Sequence, residues 1–175
     1  FFTGRRVAKT AWGQFSQRLR RVVGGTFYDD GEYDGYGRGR LVVQGVADAR
    51  HARELCAEYG IIMVLDGIDY PTLPVGQSVL RIDPGREMTQ CQPMPDAQHL
   101  WFVQPGCLVG ELQQAGLRQF DAFPSYLSVA ACIADRTLMN WPTHQTWRSG
   151  LSLASVVLAD GTTGVLGPFG TDNKQ

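Results

Sequence analysis

Aromatic and cationic side chains gather near residue 145, and their types suit the binding of a flat ligand. Trp141, Trp147 and Arg148 could stack on a planar ring. They could equally form a lid that packs on the surface of its own domain, and we favour this second interpretation. His144 is the one candidate for a general base, and nothing in the sequence places a partner beside it. We therefore assign no catalytic residue.

The other residue types that could bind metal are scattered. The four cysteines form no C-x-x-C pair, and the three histidines are equally dispersed, which disfavours a zinc site. No nucleophile-elbow, zinc-protease or phosphate-loop motif occurs, and Gly35 to Gly39 does not follow an apolar strand. Hydrolase, metalloprotease and nucleotide-hydrolase functions are not indicated. The residues concerned are Cys56, Cys91, Cys107, Cys132, His51, His99 and His144.

Composition argues against a nucleic-acid-binding protein and against a membrane protein. The 175 residues carry a net charge of −1, so there is no basic field to hold nucleic acid. No apolar run approaches the roughly 18 residues that a membrane helix needs. Arg5, Arg6 and Lys9 precede no apolar core of a signal peptide, and unpaired cysteines suit a reducing compartment. We expect a cytoplasmic protein without nucleic-acid partners and without membrane association.

The elements that position these residues begin with a basic amphipathic helix over 5–24, ended by Gly24 and Gly25. The segment 28–40 is rich in Gly, Asp and Tyr, and it predicts a loop. A short strand at 41–43 comes next. A helix then runs from Asp48, as N-cap, to Tyr59. Gly60 ends this helix and a buried strand follows at 61–65, which completes a βαβ unit with parallel strands.

The second half predicts shorter elements. Strands are expected at 78–83 and 100–103, separated by a polar connection over 84–96. Helices are expected at 108–115 and 127–139. A strand at 151–159, a turn at Asp160-Gly161 and a strand at 162–166 form a final hairpin.

Four motifs in this order resemble the flavin-binding domain of the vanillyl-alcohol oxidase and D-lactate dehydrogenase (PCMH-type) family. They are Leu41-Val-Val-Gln44, Val79-Leu-Arg-Ile-Asp83, Trp101-Phe-Val-Gln-Pro-Gly106 and Val156-Val-Leu-Ala-Asp-Gly161. The resemblance implies an α+β fold of two αβ subdomains, a small parallel strand pair with helices and then a mixed or antiparallel sheet with helices. FAD would lie between them. The expected divisions are 1–40 for the basic helix and loop, 41–83 for the first subdomain and 84–175 for the second, which we expect to be truncated before a substrate-cap domain.

The same resemblance implies which residues would bind the cofactor. They come from the loop after the strand 61–65, from the segment after residue 123, and from one glycine near the next strand. The residues are Asp66, Gly67, Ile68, Pro124, Ser125, Ser128, Val129, Ala130, Ala131 and Gly150.

Both predicted loops depart from the glycine-rich pattern that a diphosphate favours. Backbone N–H groups hold a diphosphate best where side chains are absent. Only Gly67 is present in the first loop, where Asp66 and Asp69 add negative charge, and Ala130 and Ala131 replace a glycine pair in the second. Two like charges about 5 Å apart repel by roughly 3 kcal/mol at an effective dielectric near 20.

Two functions follow from these observations. The first is an FAD-linked oxidoreductase of the 2-hydroxy-acid dehydrogenase type, or its flavin-binding part, which passes a hydride from a small hydroxy-acid-like substrate to FAD. A partner subunit or an electron acceptor would then be needed. The second is a scaffold or regulatory domain that keeps the fold without the cofactor, because its glycine loops are degenerate.

Overall fold

The computed structural model describes residues 8–68, 76–134, 154–157, 163–167 and 170–171. Its helices are α1 (Ala11–Val22), α2 (Val46–Tyr59), α3 (Val109–Gln114) and α4 (Val129–Ala134). Its first strands are β1 (Thr26–Tyr33), β2 (Tyr36–Val42), β3 (Ile62–Leu65), β4 (Val79–Asp83) and β5 (Cys91–Met94). The remaining strands are β6 (Ala97–Val103), β7 (Ala154–Val157), β8 (Thr163–Gly167) and β9 (Gly170–Thr171).

Helix α1 is amphipathic, as the sequence predicts, but it begins at Ala11, because residues 8–10 are not helical and Thr10 is its N-cap. The Thr10 hydroxyl caps the helix by accepting a hydrogen bond from the Gly13 N–H at 3.1 Å. One face of the helix buries Trp12, Phe15 and Leu19. These side chains anchor the hydrophobic core of the first half of the chain, so the helix is part of that core.

The segment 28–40, predicted as a loop, is instead a β-hairpin made of β1 and β2, with an antiparallel register and a tight turn at Asp34 and Gly35. Two glycines of β2 allow the rings of Trp12 and Phe27 to pack directly against the strand backbone. A Cβ at Gly37 would overlap the ring of Trp12, and one at Gly39 would lie 2.7 Å from the ring of Phe27. The glycine-rich composition therefore reflects close packing within a sheet.

The first sheet has the order β1-β2-β4-β3, and β2, β4 and β3 are parallel. The predicted βαβ unit is confirmed, with β4 between its two strands and with Gly60 ending α2 at φ 64°. Asp48 is not the N-cap, because Gly45 takes that position. The buried Asp48 carboxylate instead accepts hydrogen bonds of 2.8 Å from three backbone N–H groups, those of Gly24, Gly25 and Gln44.

The two faces of this sheet differ. Leu41, Leu80 and Ile82 point to one face, where they join the core with residues of α1 and α2. Because side chains alternate along a strand, Arg40 and Arg81 belong to the opposite face. We call this second surface the polar face of the sheet.

The second half of the chain contains the hairpin β5-β6, helices α3 and α4, and the antiparallel sheet β7-β8-β9. The predicted polar connection over 84–96 was wrong in part, since it contains β5. The predicted hairpin of β7 and β8 is confirmed, although its turn at Asp160-Gly161 lies outside the described residues. The described residues form an α+β fold with a mixed sheet first and antiparallel sheets after it. Among the described helices, none is long and apolar enough to cross a bilayer.

Candidate functional site

The loop after β3 carries the first group of predicted cofactor residues. The Asp66 N–H donates to the Ile82 carbonyl at 2.8 Å, which extends the sheet by one residue. Gly67 then adopts φ 84°, and a Cβ built there would meet nothing within 4 Å. Ile68 is buried and fixes the loop by its apolar side chain. Gly67 is therefore required by the turn, and the space beside it is open.

The charge of Asp66 is partly offset by a cation that the sequence analysis did not single out. Arg40 lies 3.9 Å from the Asp66 carboxylate and 3.1 Å from that of Asp83, and its guanidinium covers the ring of Tyr28 at 4.8 Å. These groups are about a third exposed, so each ion pair contributes less than about 1 kcal/mol. Arg81 adds a second cation on the same polar face. The repulsion expected from Asp66 is thus weaker than its sequence context indicates.

The start of α4 carries the second group, and its backbone is tied to the rest of the protein. The Val129 N–H donates to the Cys107 carbonyl at 2.9 Å, and the Ala130 N–H donates to the Pro105 carbonyl at 3.0 Å. Val129 is also buried. Both amides therefore hold α4 against the Pro-Gly turn that follows β6.

Ser128 satisfies the next two amides of α4. Its hydroxyl accepts from the Ala131 N–H and its carbonyl accepts from the Cys132 N–H, each at 3.1 Å. This is the arrangement of a helix N-cap. Each of the first four N–H groups of α4 thus has an acceptor within the protein, and none of them is available to a diphosphate.

Pro124 and Ser125 lie in the turn that precedes α4. The Ser125 carbonyl accepts from the Gly110 N–H at 2.9 Å, while the Ser125 side chain is exposed. A Cβ at Gly110 would lie 3.2 Å from the Ser125 backbone oxygen, so close packing explains this glycine. Gly150 lies outside the described residues, as do Asp69 and the group Trp141, His144, Trp147 and Arg148.

The two groups of predicted residues are brought together. Cα atoms of α4 lie within 8 Å of those of β3, whose end carries the Gly67 turn. The first loop fits an elongated anion, because it offers an open glycine turn near Arg40, with Arg81 on the same face of the sheet. The start of α4 offers no free amide to such an anion, because its first four N–H groups are already bonded, and its predicted contact with the cofactor stays a prediction. The described residues therefore combine an open glycine turn after β3 with a start of α4 whose first four amides are bonded within the protein.

One further cluster of chemically active groups lies near the Pro-Gly turn. The Cys107 thiol donates to the Glu111 carboxylate at 3.1 Å, and Cys91 packs beside it. Burial raises the pKa of both thiols. Among the described residues, no group of three His, Cys, Asp or Glu side chains could hold a metal ion. The spacing of Cys107 and Glu111, four residues apart, was the available sequence signal for this contact.

Comparison with solved structures assigns the PCMH-type FAD-binding fold to this chain. Chitooligosaccharide oxidase superposes with a TM-score of 0.60 at 16% identity, over 89% of this chain and 37% of that protein. A 4-ethylphenol oxidase from Gulosibacter chungangensis gives 0.59 at 15%, over 97% and 37%. The BBE-like 1 protein of Physcomitrella patens gives 0.57 at 13%, over 89% and 38%.

The chain spans less than two fifths of the length of these similar structures. At these identities the likeness concerns the fold alone. No known family profile matches the sequence, and no curated protein is significantly similar to it.

Proposed function

We propose that this chain is the flavin-binding part of an FAD-linked oxidoreductase. The observation that carries the proposal is the approach of α4 to β3, the strand that leads into the open Gly67 turn, in a chain with the PCMH-type FAD-binding fold. Two of the similar structures are named as oxidases, of chitooligosaccharide and of 4-ethylphenol. A hydroxy-acid-like substrate is the specific proposal, and it rests on the resemblance of the sequence motifs to dehydrogenases of that type.

The residues that would hold the cofactor come from the first loop and the polar face. Gly67 would allow close approach of the diphosphate to the backbone, and Arg40 and Arg81 would supply positive charge nearby. Bound FAD would supply the hydride acceptor, and the protein would orient it and exclude water. The remaining substrate contacts would come from parts of the protein beyond those described.

A second candidate is a scaffold or regulatory domain that keeps this fold without FAD. One observation favours it: the first four amides of α4 are bonded to Pro105, Cys107 and Ser128. Asp66 also adds a negative charge to the first loop, directly before Gly67. A domain with these features could retain its shape solely to bind another protein.

A visible absorption spectrum of the purified full protein separates the two candidates. A flavin band, or one that returns after incubation with FAD and removal of free FAD, supports the oxidoreductase. A colourless protein whose melting temperature does not change in excess FAD supports the scaffold. AMP serves as the matched control ligand, because it shares the adenine end without the flavin ring.

We also propose the partners and the location of the protein. An oxidoreductase of this type would need an electron acceptor or a partner subunit, and we propose a cytoplasmic location from the unpaired cysteines. Reduction of the flavin by candidate 2-hydroxy acids under anaerobic conditions tests the substrate class. Bleaching of the flavin band by one stereoisomer is the expected result, and no bleaching by any hydroxy acid would remove that substrate class.

A further inference from the structure

Two cysteines and a carboxylate meet where the β5-β6 hairpin joins α3. Cys107 is fully buried, and its Sγ lies 3.1 Å from Oε2 of Glu111. Cys91 packs against the same apolar cluster as Cys107, which also contains Leu112 and Val129. The two thiols are close enough for each to alter the pKa of the other.

The fold brings these residues together through strand pairing and a tight turn. Cys91 pairs with Val103 in the hairpin, and the chain reverses at Pro105 and Gly106 so that Cys107 returns toward β5. The turn is fixed by a 2.7 Å hydrogen bond from the Gly106 N–H to the Met88 carbonyl. Helix α3 begins directly afterwards and presents Glu111 to the Cys107 thiol. The juxtaposition is thus held by backbone structure.

Access to the pair is asymmetric. Cys91 is half-buried on β5, which pairs only with β6 among the described strands, whereas Cys107 lies entirely inside the cluster. An oxidant in solution can therefore reach Cys91 first. Among the described residues, the Cys107 thiol lies beside Cys91 and Glu111 and also contacts the Leu108 carbonyl.

We propose that Cys91 and Cys107 are a disulfide-forming pair that a peroxide oxidises, with Glu111 as the proton acceptor. Hydrogen peroxide first converts the Cys91 thiol to a sulfenic acid and releases water. Cys107 passes its proton to Glu111, and its sulfur attacks the Cys91 sulfur. The S–O bond breaks as the S–S bond forms, the leaving hydroxide takes a proton from solvent to give a second water, and the exposed Glu111 returns the proton of Cys107 to solvent. Peroxide is the two-electron oxidant, and the two thiols are oxidised.

Glu111 has a definite role in this scheme. Burial raises the pKa of both thiols, and the hydrogen bond to Glu111 raises that of Cys107 further. Thiolates are the nucleophiles in disulfide chemistry. Glu111 is the acceptor in contact with the Cys107 thiol, and it takes the proton only as the S–S bond forms.

Peptide mapping after peroxide treatment tests the proposal on the full protein. Trypsin leaves Cys91 and Cys107 together in the peptide 87–118, whereas Cys56 and Cys132 fall in the separate peptides 54–81 and 119–136. The protein is treated with hydrogen peroxide, denatured in N-ethylmaleimide and digested. Peptide 87–118 should be lighter by two hydrogens and carry no maleimide. Cys56 should stay fully labelled, because it is fully buried in a different apolar cluster from Cys91 and Cys107.

Variants separate the pair from general oxidation. Cys91→Ser should abolish the cross-link, while the control Cys132→Ser should leave it unchanged. Glu111→Gln keeps the shape of the side chain and should slow disulfide formation at least severalfold. The proposal is overturned if peptide 87–118 of the peroxide-treated protein carries two maleimides, or if Cys107 links to Cys56 or Cys132.

Discussion

The loop after β3 and the start of α4 were predicted as two sides of one cofactor cradle, and they differ in how their backbones are used. The loop turns at Gly67 in a left-handed conformation with open space beside it. The start of α4 gives its first four amides to Pro105, Cys107 and Ser128. Alanine is acceptable in the second segment because its backbone binds the protein itself. A missing glycine therefore argues against a diphosphate site only where the backbone amides of that segment are free to bind a ligand.

The largest effect is expected for a glycine that supports the α4 side. A Cβ at Gly106 would lie 2.7 Å from the carbonyl oxygens of both Gly85 and Met88, which cannot move aside easily. Gly106→Ala should lower the free energy of unfolding by about 3 kcal/mol. The matched control is Gly67→Ala, which meets open space and should cost about 1 kcal/mol for its positive φ alone. Urea denaturation measures both, and equal losses would show that the Pro-Gly turn is not closely packed.

Restoring a glycine pair at the start of α4 is expected to destabilise the protein without helping a ligand. Ala130→Gly with Ala131→Gly removes two good helix formers and should cost about 2 kcal/mol in total. The control Ala122→Gly, in an exposed segment outside the helices, should stay within about 0.5 kcal/mol. Thermal denaturation with and without FAD is the measurement. A larger FAD-induced stabilisation in the double variant would contradict the structural role of these amides.

Removal of the helix cap should have a smaller effect on stability, and it distinguishes Ser128 from Ser125. Both serines were predicted as cofactor-binding residues. Ser128→Ala should lower the free energy of unfolding by about 1 kcal/mol, because the Ala131 N–H loses its acceptor. Ser128→Thr should restore most of that loss. Ser125→Ala should be nearly neutral, since that side chain is exposed. If the two alanine variants are equally stable in a chemical denaturation series, Ser128 is not a cap.

The smallest change in the free energy of unfolding is expected for a buried hydroxyl in α1, which belongs to the first half of the chain. Ser16 is buried, and its Oγ has no hydrogen-bond partner among the described residues. Ser16→Ala should raise the free energy of unfolding by about 0.5 kcal/mol, through relief of that hydroxyl and better helix propensity. Thr10→Ala, which removes a cap that is used, should act in the opposite direction. A destabilised Ser16→Ala would indicate a hydrogen bond to this hydroxyl.

Periodicity and turn residues predicted much of the fold. Gly60 ends α2 as expected, and the strands of the βαβ unit are parallel. The hairpin at 28–40 was missed because glycine was taken as a loop signal, whereas Gly37 and Gly39 accommodate the rings of Trp12 and Phe27.

The candidate site was predictable only in outline. The order of motifs placed the first loop and α4 at the junction of the two subdomains. Arg40 could not be found from sequence, because its approach to Asp66 depends on strand register and on the insertion of β4 between β2 and β3. The bonding of the α4 amides is likewise a property of tertiary structure, since Pro105 and Cys107 lie more than twenty residues away in the chain.

Titration of FAD into the full protein and two variants tests most directly whether the loop after β3 is the side that faces the ligand. Asp66→Asn removes a negative charge that Arg40 only partly offsets, and a gain of about 1 kcal/mol corresponds to roughly fivefold tighter binding. The account predicts this gain for Asp66→Asn and an unchanged affinity for Ala130→Gly with Ala131→Gly. Tighter binding in the double glycine variant, with no change in Asp66→Asn, would contradict it.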